Sequence, residues 1–91
     1  MFVMISYDIV DNAKRLRLMK FLKEHGTRVQ KSVFECHLDP GTYDLVKERV
    51  EEIIDKRKDR VRYYRICNGC VEKIDISGWG EITEDEEFVI V

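Results

Sequence analysis

The sequence predicts an α+β fold, a ferredoxin-like βαββαβ sandwich with an added C-terminal strand or hairpin, whose two helices cover one face of the sheet. Three observations predict it. Phe2–Val10 is a nearly continuous apolar run, the pattern of a central strand. Two helical patterns follow, one after Asp11 and Asn12 and one after Pro40. The stretches between and beyond them are rich in β-branched and aromatic residues.

In the first strand, seven of the nine residues from Phe2 to Val10 are apolar or aromatic, as expected of a strand buried on both faces. Val3, Ile5, Tyr7 and Ile9 share one face, and Met4, Ser6 and Asp8 share the other. Burying even a neutral polar group costs roughly 2 to 7 kcal/mol, so Asp8 requires a cation, hydrogen bonds or a raised pKa. Asp11 or Asn12 then caps a helix, and Gly26 stands where a left-handed terminator belongs. Leu16, Leu18, Met19 and Leu22 form its apolar stripe. Arg15 falls inside that stripe and is expected to point toward the sheet near Asp8, with Lys14 and Arg17 facing solvent.

Thr27–Leu38 contains two strand-like runs with a bend near Lys31 and Ser32, either a hairpin or one bent strand. Asp39, Pro40 and Gly41 make a turn, Thr42 is a candidate cap, and Tyr43, Val46, Val50, Ile53 and Ile54 repeat at helical spacing. The run VRYYRIC leads through Asn68 and Gly69 into VEKIDI, the pattern of a hairpin with a tight Asn-Gly turn. The ending GWGEITEDEEFVIV predicts a short strand after an acidic loop. A chain of 91 residues makes one domain, with residues 1–78 as the sandwich and 79–91 as a tail that belongs to it or is swapped to a partner. Two helices leave one face of the first strand uncovered. A face-to-face homodimer burying Met4 and Ser6 is therefore expected.

The formal net charge of −2 hides two basic clusters. Lys14, Arg15, Arg17, Lys20, Lys23, Arg28 and Lys31 form one, and Lys56, Arg57, Lys58, Arg60, Arg62 and Arg65 the other. Arginine forks match phosphate oxygens, which makes Arg15, Arg17, Arg28 and Lys31 candidates for nucleic-acid binding; solvated helix faces carry similar charge. No apolar run approaches membrane-spanning length, and the apolar start lacks the basic region of a signal peptide, so a cytoplasmic protein is expected. A regulatory metabolite-binding domain calls for a Gly-rich pocket loop, and the sequence has none.

In a face-to-face dimer, Asp8 and its mate approach each other, and a shared hard divalent cation satisfies both. The plainer alternatives are that Asp8 ends the strand, pairs with Arg15 or caps the following helix. Cys67 and Cys70 flank the Asn-Gly turn and are expected to face each other, as packed thiols, as a strained pair, or as a zinc half-site completed by Cys36 and His37. His25 lies in a last helical turn, where a capping role fits. The terminal residues Phe88, Val89, Ile90 and Val91 suit addition to a sheet edge of the mate or of another protein.

YDI ending the first strand, KRLRLMKFLKEHGTRVQKSVFEC, the DxVRYYRIC run with its Cys-containing turn, and GxGEITEDEEFVIV together resemble the small CRISPR-associated protein two family over nearly the whole chain. The resemblance implies a ferredoxin-like homodimer acting with the CRISPR integrase in acquisition of new spacers, bridging integrase dimers along duplex DNA. It also implies a metal-dependent endonuclease cutting single-stranded RNA and, in some members, double-stranded DNA. Asp8 matches the family aspartate that binds magnesium between the protomers, as both metal ligand and catalytic residue. Arg15, Arg17, Arg28, Gln30 and Lys31 match its basic and polar positions. One carboxylate per chain is few for phosphodiester hydrolysis, so a non-catalytic DNA-binding scaffold bridging integrase dimers is the alternative.

Overall fold

The computed structural model describes residues 1–77. The elements run β1 (Phe2–Asp8), α1 (Asn12–Lys23), β2 (Gly26–Gln30), β3 (Val33–His37), α2 (Pro40–Ile53), β4 (Arg60–Ile66) and a one-turn α3 (Asn68–Val71). The sheet order is β2-β3-β1-β4, with neighbouring strands antiparallel, which is the expected ferredoxin-like arrangement. Thr27–Leu38 resolves into a hairpin, with a bulge between Arg28 and Gln30.

Strand β1 lies between two partners, with Ser6 opposite Val33 on β3 and opposite Arg62 on β4. Its odd face meets both helices: Val3, Ile5 and Tyr7 pack in one core with Leu18, Leu22, Val46 and Val50. Each such side chain contributes about 1.5–3 kcal/mol when fully buried. On the even face Met4 and Ser6 are half-buried and Asp8 is exposed.

Several local expectations are corrected. Leu16 is 49% exposed and leaves the apolar stripe, because two residues along a helix turn roughly 200° away from Leu18. Of the two candidate caps of α1, Asp11 is the one used, as expected, accepting from Lys14 N at 2.8 Å. Asp39, not Thr42, caps α2, accepting from Thr42 N at 2.8 Å and Thr42 Oγ1 at 3.0 Å, with Pro40 starting the helix where a missing N–H is harmless. Gly26 is not a left-handed terminator; it opens β2, and its lack of a side chain lets it lie against β3. The Asn-Gly hairpin does not form. Cys70 N and Val71 N both donate to Cys67 O at 3.0 Å, so the segment closes into α3, and the described part of VEKIDI beyond it is not a strand. Trp79, the acidic loop and Phe88–Val91 lie outside the described residues.

A Cβ on Gly26 would stand 2.4 Å from Cys36 Sγ and 2.5 Å from the Glu35 carbonyl oxygen. Gly26→Ala is therefore expected to destabilise the fold by about 1–3 kcal/mol, since backbone must move. Adding Cys36→Ala should restore only part, because the carbonyl contact stays; urea unfolding of the three chains checks both.

Candidate functional site

The end of β1 answers why an apolar strand carries a carboxylate. Asp8 is the strand's last residue and is exposed, so the desolvation penalty expected of a buried charge does not arise. Its carboxylate accepts no hydrogen bond and forms no ion pair among the described residues, although Arg60 is its register partner on β4. The site is a ridge between two clefts. A cleft of about 480 Å³ on the helix side is lined by residues including Tyr7, Asp8, Arg15, Arg28 and Lys31. One of about 170 Å³ on the other side is lined by Ser6, Tyr7, Asp8, Arg60 and Arg62. Among the described residues Asp8 is thus the one carboxylate lining either cleft, beside Arg15, Arg28 and Lys31 on one side and Arg60 and Arg62 on the other.

Arg15 lies where the sequence predicts, near Asp8, but it does not pair with it. Its guanidinium turns back over the β1–α1 connection, donating to Ile9 O from Nε at 3.2 Å and Nη2 at 2.9 Å, to Val10 O at 3.3 Å and to Asn12 Oδ1 at 2.8 Å. These four bonds occupy most of the five N–H groups of the fork. The carbonyls beyond β1 have left the sheet ladder, and the guanidinium supplies the donors they lack. Arg15 therefore holds the strand end in shape and contributes charge more than contacts.

Among the described residues Arg28 makes one side-chain bond, from Nη2 to Lys31 O at 2.9 Å, within the β2–β3 turn. The Tyr7 hydroxyl donates to the same carbonyl at 3.4 Å. Burial raises the Tyr7 pKa, and the charges of Arg28 and Arg15 oppose that rise. The phenol is neutral and acts as a post beneath the turn. Lys31 is exposed on the turn, whereas Arg17 is exposed on α1 and lines neither cleft.

Asp59 is the residue that sequence reasoning missed. Its carboxylate accepts from Val10 N at 2.9 Å and from Asp55 N at 2.7 Å, tying the α2–β4 loop to the connection just after Asp8. The hydrogen bonds from Val10 and Asp55 hold its pKa below the ordinary carboxylate value. Its signals in the sequence are its place, a short acidic residue directly before a strand, and its standing first in the DxVRYYRIC run.

The zinc alternative is not supported by the placement of its ligands. Cys36 is buried in β3 against Gly26, and burial, with the Glu35 charge, pushes its thiol up to about 11. No group of three or more His, Cys, Asp and Glu residues is placed to hold a metal among the described residues. His25 stands beyond the end of α1 rather than in its last turn, between the C-cap Glu24 and β2, with its ring 4.9 Å from that of Phe21 and its backbone N–H donating to Leu22 O at 3.0 Å. For a hard divalent cation, the oxygen donor at hand is Asp8, with acceptor capacity unspent. One carboxylate fits magnesium as half of a site, since that ion is held by one or two carboxylates and keeps several waters.

The family model for CRISPR associated protein Cas2 matches residues 1–74. The chain belongs to this family. It is 39% identical over 92 residues to CRISPR-associated endoribonuclease Cas2 1 of Chloroflexus aurantiacus, covering 100% of this chain and 99% of that one. A hypothetical protein from Thermus thermophilus superposes with a TM-score of 0.79 at 32% identity, over 91% of this chain and 96% of that chain. Streptococcus pyogenes Cas2, crystallised at pH 6.5, superposes with a TM-score of 0.76 at 29% identity, over 86% and 100%. No helix among the described residues of this Cas2-family chain is long and apolar enough to cross a membrane.

Because the folded-state pKa of Asp59 is depressed, its contribution is present above its unfolded value and lost as pH falls through the folded one. Stability is expected to drop below about pH 4. Asp59→Asn should flatten part of that drop, the rest coming from Asp39, whose pKa is lowered by its bonds to Thr42. Thermal unfolding of both chains between acid and neutral pH checks this.

Proposed function

We propose that this chain is a metal-dependent endonuclease of spacer acquisition, working as a homodimer with the CRISPR integrase. The observation that carries the reading is the free carboxylate of Asp8 between two cationic clefts at the end of β1. Family membership and the relatives' names, which call them endoribonucleases and endonucleases, support the class of chemistry. Two copies meet through the sheet face bearing Met4, Ser6 and Tyr64, which the described helices leave uncovered and on which Tyr64 is 42% exposed.

Asp8 of each copy would hold magnesium; when bound, the ion supplies positive charge that polarises a phosphate and makes water a stronger nucleophile. The chain's own residues do the rest. Arg28 and Lys31 on one side of Asp8, and Arg60 and Arg62 on the other, bind the phosphates flanking the scissile bond. Their unspent N–H groups stabilise charge developing on the phosphate oxygens. Arg15 keeps Asp8 at the ridge, and Arg17 extends the footprint along α1. Substrate is single-stranded RNA or duplex DNA, since none of these contacts distinguishes bases.

The small number of carboxylates favours a second reading, a non-catalytic scaffold that binds duplex DNA between integrase dimers. Asp8→Asn separates the two. It should weaken magnesium binding in either case, because it removes one charge from each half-site. An enzyme loses cleavage of both substrates on the order of a hundredfold or more; if its cutting serves integration, spacer integration by the complete complex falls too. A scaffold keeps integration. A monomer by sedimentation at micromolar concentration overturns both.

Binding is expected to weaken with salt, and Arg28→Ala or Lys31→Ala each to lower the log-log salt slope by about 0.9 on duplex DNA. Arg15→Ala should instead act mainly on stability. Titrations at several salt concentrations, set beside melting curves, distinguish these effects.

A further inference from the structure

Cys67 and Cys70 play no part in the functions above. Both are free and exposed, on α3 just beyond the sheet, whereas the third cysteine, Cys36, is buried. Cys67 caps the turn and Cys70 is its third helical residue, with Cys70 N donating to Cys67 O at 3.0 Å. That turn sets the two side chains three residues apart, on the same side of one helical turn. Between them Gly69 has open space where a Cβ would be, so the turn is uncrowded. A metal would need further ligands, and no such group exists among the described residues.

We infer that Cys67 and Cys70 form a reversible dithiol–disulfide site, oxidised by a peroxide and reduced by small-molecule or protein thiols. The turn supplies the pairing, and charge supplies the roles: the neighbouring Cys70 thiol lowers the Cys67 pKa while that of Cys70 is raised, so Cys67 is the nucleophile and Cys70 resolves. The Cys67 thiolate attacks one peroxide oxygen; the O–O bond breaks, and hydroxide leaves with the bonding pair and becomes water on taking a proton. Cys67 is then a sulfenic acid. Cys70 Sγ attacks Cys67 Sγ, forming the S–S bond as the S–O bond breaks, and the departing hydroxide takes the Cys70 proton to leave as a second water. Two electrons pass from the sulfurs to the peroxide. A thiol reductant reverses the change by exchange through a mixed disulfide.

The test is hydrogen peroxide treatment of the reduced full chain under native conditions, followed by intact and peptide mass spectrometry and a thiol count. The expected result is a mass lower by two hydrogens, a peptide bridging Cys67 and Cys70, one thiol left on denaturation, and full recovery with dithiothreitol. Cys70→Ser should stop at a dimedone-reactive sulfenic acid on Cys67. Cys67→Ser should slow thiol loss at least about tenfold. Cys36→Ser should leave the bridge intact, which makes it the control for packing. Chains joined through intermolecular disulfides, Cys67 passing to sulfinic acid with Cys70 still free, or equal rates in the Cys67→Ser chain would each overturn the inference.

Discussion

The molecule depends on β1 being hydrogen-bonded on both edges while helices cover one of its faces. Two strands flank it, so its backbone groups are satisfied without solvent, and Val3, Ile5 and Tyr7 can sit in the core against α1 and α2. The same arrangement carries the chain to the rim of the sheet at Asp8, where burial ends. A carboxylate one residue earlier, at the odd-face position of Tyr7, would be inside the core. At position 8 it is in solvent and still held by a strand that cannot shift register without turning its core residues outward.

The rim is kept in place by charge spent locally. Arg15 gives most of its donors to the carbonyls that follow β1, and Asp59 accepts the amide of Val10 while fastening its own loop to Asp55. An arginine and an aspartate thereby serve backbone groups rather than each other, and neither competes for Asp8. Among the described residues of the rim, what stays uncommitted is the Asp8 carboxylate, with the outer arginines and Lys31 around it. That division makes the site suited to anionic polymers: the scaffold's polar needs are met inside, and the free forks face outward.

The segment after β4 shows the balance between local and long-range bonding. Asn68-Gly69 suits a hairpin only if the chain on its far side finds a strand to pair with. Here the i→i+4 bond of Val71 to Cys67, and that of Glu72 to Asn68 at 3.2 Å, close a helical turn instead. A local turn needs no long loop closure, so it forms whatever lies beyond. Two thiols expected across a ladder are consequently one helical turn apart on the surface.

The sequence by itself determined the order of the elements, the two faces of β1, the amphipathic α2 and the concentration of basic residues near Asp8, because strand alternation and helical spacing are local properties of the chain. The quoted runs from YDI onward also carried the family. Only the tertiary structure decided how the polar groups are spent: that Arg15 binds carbonyls rather than Asp8, that Arg60 and Arg62 join the rim from a distant strand, that Asp59 anchors Val10, and that Gly26 is required by close approach to Glu35 and Cys36. Those outcomes depend on partners far apart in the chain, whose meeting is fixed by sheet order and register. A single position read in sequence shows what a side chain can bond to, and the fold shows which of those partners arrives.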